Sequence, residues 1–88
     1  MKINDNFILQ EVADEFIVVP VGEAADNLCG VIRLNETGAF IWKKLEEENL
    51  EEDELVQVVS NEYAADIKKI RDDVASFIQQ LRDWGCLL

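Results

Sequence analysis

Along the first third of the chain, short apolar runs are separated by turn residues. From Asn35 onward the apolar positions recur at intervals of three and four. The runs Phe7–Val12, Phe16–Val21 and Cys29–Leu34 read as strands, linked by Asp14-Glu15 and by a loop, Gly22–Asn27. Pro20 cannot donate to a sheet ladder, so it belongs near a strand end or an edge. Three consecutive strands with short links predict an antiparallel meander whose last strand is an edge. In that strand the period of two places Ile32 and Leu34 on the core face and Val31 and Arg33 on the wetter one.

The switch of period falls within Val31–Trp42. Asn35 stands where a helix N-cap would, and a first helix over Glu36–Glu47 turns Ile41, Trp42 and Leu45 inward, with Lys43 and Lys44 outside. A second helix starts near Glu51, with Leu50 and Leu55 placed as a hydrophobic staple. It presents Leu55, Val58 and Val59 and ends near Tyr63. Asp66 caps a third helix whose stripe is Ile67, Ile70, Val74, Phe77, Ile78 and Leu81, and Gly85 stops it. Phe77 and Leu81 are assigned to the core. The order βββααα predicts one α+β domain over residues 1–88, a three-stranded antiparallel sheet followed by three helices, resembling a winged-helix module with its sheet placed first.

Composition narrows the function classes. The chain has 88 residues, 49% of them apolar, which permits one modest core but no deep enclosed active site. Its formal charge of −11, from 19 acidic and 8 basic side chains, argues against nucleic-acid backbones and anionic membranes as partners. No apolar run has the length of a membrane span and Met1–Asn6 lacks a secretion-signal pattern, so a soluble cytoplasmic protein is expected. The acidic run Glu46–Glu54 has neither the alternating ligands nor the turn glycine of a calcium loop, and reads as a solvated helix end and turn.

Histidine is absent, and Cys29 and Cys86 form no CxxC pair and have no activating neighbour in sequence. Neither a metal site nor a disulfide is expected. With no phosphate loop, GxGxxG or HExxH, the chain is expected not to be an enzyme and to need no cofactor. A phosphopantetheine carrier is also set aside, because neither serine opens a helix.

The segment Leu34-Asn35-Glu36-Thr37-Gly38-Ala39-Phe40-Ile41-Trp42 resembles the "lN-x-tg-x-x-iw" centre of the PqqD-like family. The similarity continues through Glu54-Leu55, Tyr63, Asp73-Val74, Phe77-Ile78, Leu81 and Gly85-Cys86-Leu87-Leu88. The resemblance implies a recognition element of ribosomally made, post-translationally modified peptides. Such a domain holds the leader segment of a precursor peptide as an added strand between the third strand and the third helix. It thereby presents the rest to a modifying enzyme, often a radical S-adenosylmethionine protein.

On that reading the backbone of Gly30, Val31, Ile32, Arg33 and Leu34 supplies the ladder, because an edge strand offers unpaired N–H and C=O groups. Ile67, Ile70, Arg71, Val74 and Ile78 form the far wall. Arg33, Lys68, Lys69 and Arg71 are placed to pair with leader carboxylates. Proline at Val31 would weaken binding if that N–H faces the open edge, and would unfold the domain if it faces inward. The alternatives are a winged-helix transcription regulator, a non-catalytic docking subunit that uses its acidic turn, and an edge covered by a second copy in a homodimer.

Overall fold

Two residues with positive φ, Ala13 (50°) and Asp14 (67°), make the first chain reversal. This is a two-residue turn of the type whose twist suits a hairpin. It brings Glu15 opposite Val12, so the turn and the second strand begin one residue earlier than the sequence suggests. The computed structural model describes residues 1–22 and 32–88. Its strands are β1 (Phe7–Val12), β2 (Glu15–Pro20) and β3 (Ile32–Leu34), antiparallel and in the order β1-β2-β3. The expected residues Cys29–Val31 of the third strand lie outside the described ones. Three helices follow: α1 (Glu36–Glu47), α2 (Glu52–Glu62) and α3 (Ile67–Asp83). The expected α+β fold is therefore the observed one.

Each helix start has a local cause. The Asn35 side chain accepts the Gly38 N–H at 2.7 Å, and the Asp66 carboxylate accepts the Lys68 N–H at 3.0 Å. At α2 the Glu54 carboxylate reaches back to the Glu51 N–H at 3.0 Å, while Leu50 and Leu55 are both buried. Gly85, at φ 76°, terminates the chain's run out of α3 in a conformation that glycine adopts without strain.

The sheet's inner face carries Phe7, Leu9, Val18, Ile32 and Leu34 against Ile41, Trp42 and Leu45 of α1. From α2 come Leu55, Val56 and Val59, and from α3 come Ile70, Val74, Ile78 and Leu81. Val56 is buried where Val58 was expected, because α2 packs chiefly on α3 and so turns a different side inward. The two ends of the chain also meet. Ile3 bridges Leu87, the Asn4 N–H donates to the Cys86 carbonyl at 2.7 Å, and the Leu88 N–H donates to that of Lys2 at 2.9 Å. No sequence period signals this pairing.

Candidate functional site

The hairpin turn sets the parity of the whole sheet. A two-residue turn of this kind closes on a hydrogen-bonded pair, here Val12 and Glu15, and such pairs then alternate along the ladder. The Val21 N–H, which donates to the Asn6 carbonyl at 2.8 Å, has the same parity. It follows that Glu15, Ile17 and Val19 bond to β1, while Phe16 and Val18 turn their N–H and C=O groups toward β3. Pro20 has the parity of Phe16 and Val18, so its missing N–H removes no bond from the β1–β2 ladder.

Phe16 pairs with Leu34, Val18 with Ile32, and Ile17 with Arg33. Ile32 and Leu34 therefore use their backbone groups on β2. Arg33 directs its N–H and C=O to the side of β3 away from β2, where no strand pairs with it among the described residues. Its side chain lies on the sheet's outer face, 75% exposed and 3.9 Å from the Glu15 carboxylate. A pair so solvated contributes at most about 1 kcal/mol. Gly30 and Val31 lie outside the described residues.

The α3 residues expected to form a wall do not share one environment. Ile70, Val74 and Ile78 are only 4%, 1% and 1% exposed, so they are core residues, held there by α1, α2 and the sheet. Ile67 lies on the same stripe but at the start of the helix, where it is 43% exposed. Lys68 is exposed as well. Arg71 reaches toward α2, with its guanidinium 3.5 Å from the Asp53 carboxylate. Both partners of that pair are solvated, so it adds little to stability.

A different side of α3 faces α1. Asp73, Ser76, Phe77 and Gln80, at i, i+3, i+4 and i+7, line a cleft of about 250 Å³ opposite Asn35, Thr37, Gly38 and Ile41. Phe77 is half-buried rather than enclosed, and its ring lies over the first turn of α1. Glycine at position 38 makes this approach possible. A Cβ there would stand 3.1 Å from Phe77 Cε1 and 3.2 Å from Asn35 Oδ1. Because Asn35 directly follows β3, the cleft lies next to the end of the β3 edge, which is unpaired among the described residues. The charged and polar members of this lining give no apolar period that would mark the cleft in the sequence.

A family model described as coenzyme PQQ synthesis protein D (PqqD) matches residues 23–87, about three-quarters of the chain and all of the edge-and-cleft region. The chain belongs to the PqqD family. Among solved structures it is similar to TbiB1 in complex with the TbiA(beta) leader peptide. The identity is 25% and the TM-score 0.77, over 99% of this chain and 94% of that one. A lasso peptide synthetase B1 complexed with the leader peptide shares the fold at TM-score 0.75 and 17% identity, over 99% and 95%. No curated protein matches the chain.

Other chemistry in this PqqD-family chain is sparse. Among the described residues, no three His, Cys, Asp or Glu side chains gather as a metal would require, and no helix is long and apolar enough to cross a membrane. Burial pushes the Cys86 thiol from an ordinary 9.0 up to about 11, which suppresses its nucleophilic thiolate. The fold favours the protonated thiol. Its contribution to stability is therefore complete below pH 9 and is lost as pH rises from 9 to 11, where the unfolded chain gives up the proton first. Urea midpoints measured at pH 8 and pH 10.5 should fall more steeply in the wild type than in Cys86→Ala. Equal slopes would show that the thiol titrates normally.

Proposed function

We propose that this PqqD-family chain binds the leader segment of a ribosomally made precursor peptide and presents the remainder to a modifying enzyme. The supporting observation is the outward-facing backbone of Arg33, near a cleft lined in part by Phe77, in a fold similar to that of TbiB1 with its leader peptide. An extended peptide laid on β3 pairs with that backbone and continues over Asn35 toward the cleft. Main-chain bonds supply a sequence-independent share of the affinity, and alternate side chains supply selectivity. Each apolar leader side chain that becomes well buried contributes about 1.5–3 kcal/mol before ordering costs.

On this reading the chain is a one-domain, non-catalytic partner without a cofactor. It works in the cytoplasm beside a modifying enzyme of the radical S-adenosylmethionine type. The wall is the Ile67 end of α3 together with Asp73 and Phe77, rather than Ile70, Val74 and Ile78. The formal charge of −11 disfavours the regulator reading, since phosphate backbones are held by Lys and Arg.

The test is a titration of the isotopically labelled chain with synthetic peptides spanning the leader segments of precursors encoded beside its gene, followed by amide resonances. Shifts are expected at Ile32–Leu34, Thr37–Gly38 and Asp73–Phe77. Shifts confined to the acidic run Glu46–Glu54 would overturn the reading in favour of a docking subunit.

A further inference from the structure

We propose that the cleft between α1 and α3 is a selectivity pocket for one cationic side chain, Lys or Arg, of the bound peptide, with Asp73 as its counter-charge. The inference rests on the peptide-binding reading above and adds a position-specific requirement to it.

The cleft's size, floor and charge agree on this occupant. Its volume of about 250 Å³ far exceeds the roughly 10–15 Å³ that one water needs on the same measure, so it has room for part of a side chain. The apolar part of its lining is buried Ile41 and the half-buried ring of Phe77, beside the polar side chains of Asn35, Thr37, Ser76 and Gln80. Lys and Arg lay their methylene stems along such surfaces and place the charged head in water or over an aromatic face. At the rim stands the Asp73 carboxylate, which has no basic group within 4 Å among the described residues, and the cleft lining contains no Lys or Arg.

A helix start such as that of α1 favours an anion, since helix N-termini carry positive potential. Here that potential is partly answered, at Gly38, while no partner is seen for the Glu36 and Thr37 N–H groups among the described residues. Asn35 accepts the Gly38 N–H through its side chain at 2.7 Å and the Ala39 N–H through its carbonyl at 2.9 Å, and Glu36 adds a carboxylate in the first turn. The one charged side chain in the lining is the Asp73 carboxylate, with Lys69 one turn back on α3, and the chain's overall −11 draws a cationic segment toward this face. Asn35 is two residues beyond Arg33. At about 3.3 Å per residue, the side chain that enters lies about two positions along the added strand from the residue facing Arg33.

The test uses random twelve-residue peptides displayed on phage, selected against the wild type, Asp73→Asn, Asp73→Lys and Arg33→Pro. Asp73 is exposed on a helix surface, so its variants should fold. The wild type is expected to enrich Lys or Arg at one position. Asp73→Asn should lose that enrichment while retaining the same apolar positions, and Asp73→Lys should replace it with Asp or Glu. With a synthetic copy of the enriched peptide, changing the cation to Leu should cost about tenfold in affinity against the wild type and little against Asp73→Asn. Enriched peptides with no cationic position, or a cationic preference that survives Asp73→Asn, would overturn the pocket and leave the peptide-binding reading standing. No enrichment beyond that seen with Arg33→Pro would overturn both.

Discussion

Replacing Arg33 with proline is expected to weaken leader-peptide binding by roughly 10- to 100-fold or more while leaving the fold in place. Proline removes the one described β3 N–H that faces the open edge, and proline is tolerated on edge strands in that orientation. One net hydrogen bond contributes about 0.5–1.5 kcal/mol, and a peptide carbonyl left buried without a donor costs about 1–3 kcal/mol more. Together these reach one to three decades in Kd. Fluorescence anisotropy with a labelled leader peptide measures the loss, and circular dichroism checks the fold.

Two controls separate the backbone from everything else at that site. Arg33→Ala retains the N–H and removes only a solvated ion pair, so its binding should stay within about threefold of the wild type. Leu34→Pro removes a donor that serves Phe16 across the β2–β3 ladder, so it should lower the melting temperature instead. If Arg33→Pro binds the leader peptide like the wild type, strand addition at β3 is not how this chain holds it. Val31 lies outside the described residues, whereas the register around Arg33 is known, which makes Arg33 the position for this test.

The second large effect concerns the fold. Trp42→Ala is expected to destabilise the chain by about 3–5 kcal/mol, because Trp42 is fully buried among Ile41, Leu45 and the sheet's inner face. At roughly 0.05–0.15 kcal/mol per residue, an 88-residue chain has only about 4–13 kcal/mol to lose. Thermal unfolding should therefore move down by at least ~12 °C, or the variant should fail to fold at 37 °C. Trp42→Phe is the informative partner. The indole Nε1 has no hydrogen-bond partner among the described residues, so the phenyl ring removes a buried donor while keeping most of the apolar contact. Its expected cost is under ~1.5 kcal/mol. A Trp42→Ala melting point within a few degrees of the wild type would show that the core does not depend on this side chain.

The features legible from the sequence are those with a local cause. Asn35 and Asp66 were recognisable as caps because a short oxygen-bearing side chain at the turn into a helix has one obvious task, and both make that bond. Ile32 and Leu34 against Arg33 follow from the strand period alone, and the Leu50–Leu55 staple from spacing. The α3 stripe was legible as apolar but not divisible. Ile67, Ile70, Val74 and Ile78 satisfy the same period, and nothing local says which of them the neighbouring elements will cover.

Long-range geometry produced the differences. The solvated pair that Arg71 makes with Asp53 of α2, at 3.5 Å, has no signal in the sequence. Phe77 read as core until the missing Cβ of Gly38 let its ring lie at the surface of a cleft. Residue types and their periods were enough to establish three strands, three helices, their caps and the family resemblance, because these depend on neighbours a few positions apart. Which backbone groups face the open edge, which side of α3 meets α1, and that the two chain ends pair were set by packing between distant segments. Such contacts depend on the summed shape of many side chains, and no single stretch of residues encodes that shape.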